Sequence, residues 1–195
     1  MVLQGIQDSQ IMDIALRCGS TWTCEQIRHV TALASRLGFI AVHLPSGLDS
    51  DTQQRLVEEL VNSGCDLMIV TDSLDLAPNV VHGFDLVKVK ALRERLDAGG
   101  DTSPLIVDLA LAIGRTRNEA VARASLEPSF SGPEHPENSG IFGTFEEGQI
   151  QVMELARAGA EVLLLSLPLC EDMADLLAQV RALVVGPSVN LVAGH

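Results

Sequence analysis

Apolar and polar positions alternate along this chain in two recurring rhythms. Short apolar runs of four to eight residues, the length of buried strands, are followed by longer stretches with apolar residues three and four apart, the spacing of helices. Ile11 to Cys18 reads as a first strand, with Asp13 as its one acid. Thr23 can cap a helix to about Leu37, in which Ile27, Val30, Leu33, Ala34 and Leu37 share one face. Gly38 stops it, and Phe39 to Leu44 forms a second strand that turns at Pro45-Ser46-Gly47. Asp49 or Ser50 then caps a helix carrying Leu56, Val57, Leu60 and Val61. Gly64 ends that helix, and Asp66 to Thr71 is a third strand.

The second half repeats the theme. Residues 72–83 read as a loop, and a basic helix from about Phe84 to Ala98 closes at Gly99-Gly100. Pro104 to Ile113 is a fourth strand, and Thr116 caps a helix to about Leu126. Residues 127–140, rich in proline and glycine, form the one long irregular segment. From Gly143 the wording is compact. Thr144 caps a helix with Glu146 and Glu147 at its positive end, Gly159 stops it, and Val162 to Leu167 is almost wholly apolar. A last helix runs from Glu171 to about Val184, and Val189 to Ala193 offers a terminal strand.

Strands alternating with helices imply βα units and a parallel sheet. Two closures are open: an open doubly wound sheet, or a TIM-type barrel left short or incomplete, since a full barrel takes about 250 residues. With 195 residues, a single domain over 1–195 is the expectation. No GxGxxG, Walker or GxSxG motif is present.

Charge and composition narrow the partners. A net charge of −13 opposes nucleic acid and anionic membrane surfaces. No apolar run approaches the ~20 residues that span a bilayer, so a soluble cytoplasmic protein is expected. Cys18, Cys24, Cys65 and Cys170 lack any repeated spacing and read as free thiols, with no metal site. Aromatic residues make up only 3%, which leaves few faces for stacking.

Chemistry is possible at several places. Leu44 to Ser50 leads into a helix N-terminus, where backbone N–H groups, Ser46 and Ser50 can hold an anion. Asp49 and Asp51 oppose a phosphate there, and a plain capped turn is the alternative. His43, at a strand tip, suits acid–base work or packing. Asp13, Asp72 and Asp108 lie in or beside strands and need partners; Asp13 with Arg17, or Asp108 with Arg115, would serve. Arg115, Thr116 and Arg117 open a helix, where they can meet a phosphate or stay solvated. His82, His135 and His195 read as surface groups.

Three segments carry a resemblance. They are Glu25 to Leu37 running into Gly38-Phe39 and on to Pro45, Leu92 to Gly100 followed by Pro104 to Ala124, and Gly143-Thr144-Phe145-Glu146-Glu147 onward. In this order they resemble the bacterial-luciferase-like flavin oxidoreductases and monooxygenases, as a shortened member. The resemblance implies a βα barrel holding FMN or a deazaflavin at its strand tips. It implies hydride transfer between that cofactor and an organic small-molecule substrate, with His43 as the catalytic candidate. Cofactor contacts would fall on Ser46, Gly47, Ser50, Asp13, Asp72, Arg115 and Thr116. Ser46-Gly47 stands where many relatives carry an acid–His pair, so a non-catalytic flavin-binding or accessory protein on the same scaffold is the alternative. An incomplete barrel leaves sheet edges, so a homodimer or a paralogous subunit is expected to cover an apolar surface near the gap.

Overall fold

The structure, a computed structural model, describes residues 11–71, 77–125, 127, 130 and 140–185. Seven strands and six helices are found in this part of the chain. In chain order they are β1 (Asp13–Arg17), α1 (Cys24–Arg36), β2 (Ala41–His43), α2 (Ser50–Asn62), β3 (Met68–Val70), β4 (Val80–His82) and α3 (Leu86–Gly99). Then come β5 (Ile106–Ile113), α4 (Arg117–Ser125), β6 (Gly140–Gly143), α5 (Phe145–Arg157), β7 (Val162–Ser166) and α6 (Met173–Leu183).

The helix ends follow the chemistry of their residues. Thr23 and Gln26 close a reciprocal capping box on α1, and Thr144 and Glu147 do the same on α5. Asp49 and Asp85 accept backbone N–H bonds at the starts of α2 and α3. Past their C-terminal ends, Gly38, Gly64, Gly100 and Gly159 take positive φ, which a side chain would resist.

Every strand pair is parallel, in the order β3-β2-β1-β7-β5-β4, with β6 also on β5. Ala110 of β5 is in register with both Ser166 of β7 and Gly140 of β6, so β6 lies on the same side of β5 as β4. Among the described residues no pair joins β3 to β4, and the path of strands stays open between them.

Strand alternation divides the sheet into two faces. Ile14, Leu16, Val42, Val107, Leu109, Leu111, Leu163 and Leu165 point to the back, where they form one core with α1, α2, α3, α5 and α6. The front face mixes small, polar and apolar residues. Ala15, Ala41, Val162 and Leu164 bury one another there, and α4 packs Ala124 against Ala112, Phe130 and Phe142. Two strands lie in stretches read from sequence as irregular. Val80–His82 falls in the 72–83 loop, and Gly140–Gly143 overlaps the end of the proline-rich segment. The terminal strand expected at Val189 to Ala193 lies outside the described residues.

Candidate functional site

The front face becomes polar toward the C-terminal ends of its strands. Arg17 is in register with His43 and with Ser166, so all three project from the same side at neighbouring strand tips. Asp108 is in register with His82 on β4 and with Leu164 on β7. Arg17 reaches across β7: its Nη2 donates to Asp108 Oδ2 at 2.7 Å. His82 Nδ1 approaches the same oxygen at 2.9 Å. One carboxylate therefore gathers a cation from β1 and an imidazole from β4.

Solvent reaches these groups unequally. The Asp108 side chain is 12% exposed, Arg17 24% and His82 47%. His43 is buried. Arg17 Nε, also buried, has no hydrogen-bond partner among the described residues.

Arg17 also lines a crevice of about 240 Å³ with Gly19, Ser20, His43, Ser46 and Ser166. The crevice sits at the ends of β1, β2 and β7, where parallel α/β sheets hold their ligands. Cys18 lies on its wall, and burial pushes its thiol up to about 12, so it contributes no thiolate near neutral pH.

Of the residues singled out from sequence, the fold gathers His43 and Ser46 at this crevice. Ser50 opens α2, whose N-terminus is filled by the chain itself. Asp49 accepts the Thr52 N–H at 2.9 Å, and that bond holds its carboxyl below the usual range. The capped turn is thus realised beside Gly47. Asp13 stands at the opposite, N-terminal end of β1.

Arg115 and Thr116 lie past the end of β5. Thr116 Oγ1 accepts the Glu119 N–H at 3.2 Å, and Arg115 Nε donates to Glu119 at 3.2 Å. Glu119 sits below its usual pKa, chiefly through the Arg115 backbone N–H. Asp72 falls outside the described residues, as do His135 and His195.

The expected ion pairs are re-partnered. Arg17 takes Asp108 rather than Asp13, and Arg115 takes Glu119 rather than Asp108. Alternation puts Asp13 and Arg17 on one face but two pleats apart, whereas the sheet order brings β5 within reach. His82, read as a surface group, is half-exposed yet tied to Asp108. An acid–imidazole pair therefore exists, built from β4 and β5. Only the unforeseen strand at Val80–His82 reveals it.

Among the described residues no group of three or more potential metal ligands is present, and no helix is long and apolar enough to cross a membrane. A wider groove of about 530 Å³ runs between α1 and the segment before α6, lined by Glu25, His29, Leu169, Cys170 and Met173.

No family model matches the chain, and no curated protein matches it. Solved structures do match, among them the apo form of a homocysteine methyltransferase from Escherichia coli. That match has 13% identity and a TM-score of 0.31, covering 90% of this chain and 97% of that one. A score that low carries no argument.

Proposed function

We propose that the chain is a flavin- or deazaflavin-binding oxidoreductase of the luciferase-like kind, working at its C-terminal strand tips. The observation that carries this reading is Arg17, whose buried Nε lacks an acceptor among the described residues and which edges a crevice with three serines. An arginine N–H and nearby hydroxyls suit a phosphate oxygen. Whole-ligand sites commonly enclose about 300–1,000 Å³, so a crevice of about 240 Å³ suits the phosphate-bearing end of such a cofactor alone. Arg17, Ser20, Ser46 and Ser166 would hold that end, and the bound group would supply hydride chemistry. His43, at the tip of β2, would orient it or hold a proton beside it.

The strand order supports a curled sheet. β1 lies between β2 and the last strand, β7, and each neighbour around the path follows chain order apart from the offset β6. This is the cyclic order of a βα barrel. Ala15, Ala41, Val162 and Leu164 bury one another with no described helix in their cluster, as inward-facing barrel residues do. We therefore read the sheet as an incomplete barrel with its gap between β3 and β4. Met68, 67% exposed at the β3 edge, is where a second copy or a paralogous subunit would sit.

A second reading, flavin binding without turnover, is favoured by a crevice lining that contains no phenylalanine, tyrosine or tryptophan. Titrating purified protein with FMN and with a deazaflavin coenzyme, followed by fluorescence, tests the proposal. Binding tighter than roughly 50 µM, about −6 kcal/mol, is expected for one of them, weakened by Arg17→Met. No quenching by either sinks it. Binding without coupled reduction of aldehydes, quinones or alcohols selects the second reading.

A further inference from the structure

We infer that His82 is an acid–base group, held for proton exchange by Asp108 with Arg17 as the second positioning residue. The proposed oxidoreductase reading supplies its reaction; its geometry stands apart from that reading. The Asp108 carboxylate, in contact with the Arg17 guanidinium at 2.7 Å, can only accept hydrogen bonds. At 2.9 Å from that oxygen, His82 Nδ1 must carry the proton. The neutral ring then carries its lone pair on Nε2, the nitrogen not engaged by Asp108, and a side chain 47% exposed leaves room for a ligand to meet it.

Charge balance alone does not call for this arrangement. Arg17 already offsets Asp108, yet His82 converges on the same Oδ2 from a different strand. A base oriented by a carboxylate on its far nitrogen is the usual construction for proton transfer. On the described strands, the other charged or titratable groups on this face are Asp13 and Arg17 on β1 and His43 on β2, and α4, packed farther along the same face, carries Arg117, Glu119 and Arg123.

The matching ligand is an alcohol, or its carbonyl counterpart in reverse. The hydroxyl O–H bond breaks, its proton joins His82 Nε2, and the electron pair stays on oxygen to form the C=O. The hydrogen on the same carbon would leave with its two electrons as hydride, for which an oxidised flavin-class group, when bound, would be the acceptor. Asp108 stabilises the imidazolium without itself taking the proton.

Long-range ¹H–¹⁵N NMR on the cofactor-free full chain tests the inference. At about pH 8, where imidazole is largely neutral, His82 is expected as the Nδ1–H tautomer, and Asp108→Ala or Asp108→Asn should abolish that preference. Carbethoxylation by diethyl pyrocarbonate, mapped by mass spectrometry, should be several-fold faster at His82 than at exposed His29, and Asp108→Ala should erase the difference. An Nε2–H tautomer in the wild type, or a His82 rate equal to that of His29, overturns the assignment even if no variant folds. Both readouts use protein without cofactor, so failure of FMN to bind leaves them unaffected.

Discussion

Arg17 on β1 and Asp108 on β5 meet at 2.7 Å although 91 residues separate them and β7 lies between their strands. Two strand spacings are roughly 9–10 Å, a gap that the long arginine and the aspartate close together. Arg17 is in register with Ser166, while Asp108 is in register with Leu164. The guanidinium therefore crosses the front of β7 diagonally and ties the two halves of the sheet.

Removing either end should loosen that tie. Arg17→Met leaves a mostly buried carboxylate with only His82, and a stability loss of about 1–3 kcal/mol is expected in urea unfolding. Asp108→Asn should cost a similar amount. The double variant should cost less than the sum, because the second change removes a group already orphaned. Strict additivity would mean that the contact contributes nothing.

Two glycines should behave oppositely. A Cβ at Gly140 would run into the Ala110 carbonyl oxygen and the Phe142 ring, so Gly140→Ala should weaken β5–β6 pairing by about 1–3 kcal/mol. A Cβ at Gly47 meets nothing within 4 Å, and its φ is not positive. Gly47→Ala should leave Tm unchanged or raise it slightly through lost chain entropy. Thermal unfolding of the two variants side by side checks the contrast.

Cys18 gives the alkaline limit of stability. Burial raises its thiol from 9.0 to about 12, so the folded chain keeps it neutral where the unfolded chain ionises it. The contribution is complete below pH 9 and declines as the pH climbs from 9 toward 12. Urea midpoints should fall across that window, and Cys18→Ala should flatten the fall. In native protein at pH 8, a thiol reagent should label exposed Cys170 well before Cys18.

The acid limit has the opposite sign. Asp49 and Asp85 are held below their usual range, first by the backbone N–H groups of Thr52 and Lys88, and Asp101 by that of Ser103. Depressed carboxylates stabilise the fold above their unfolded pKa and lose that contribution as pH falls through the folded value. Tm should hold steady down to about pH 5 and drop below about pH 4. Thr144→Ala, which opens the α5 capping box, should cost about 1 kcal/mol at neutral pH.

Local chemistry was legible in the chain itself. Thr23, Asp49 and Thr144 start their helices, Gly38, Gly64, Gly100 and Gly159 follow their ends, and five apolar runs became strands. Each depends on residues within a turn or two, so the sequence determined them alone. Val80–His82 and Gly140–Gly143 escaped because three or four residues beside glycine carry too little periodicity to stand out. The neighbours of each strand were decided only in three dimensions. Alternation puts Arg17, His82 and Asp108 on a face, but the order β1-β7-β5-β4 brings them to one oxygen. Pairing across 91 and 26 residues is set by how the whole back face packs against its helices, which no local pattern encodes.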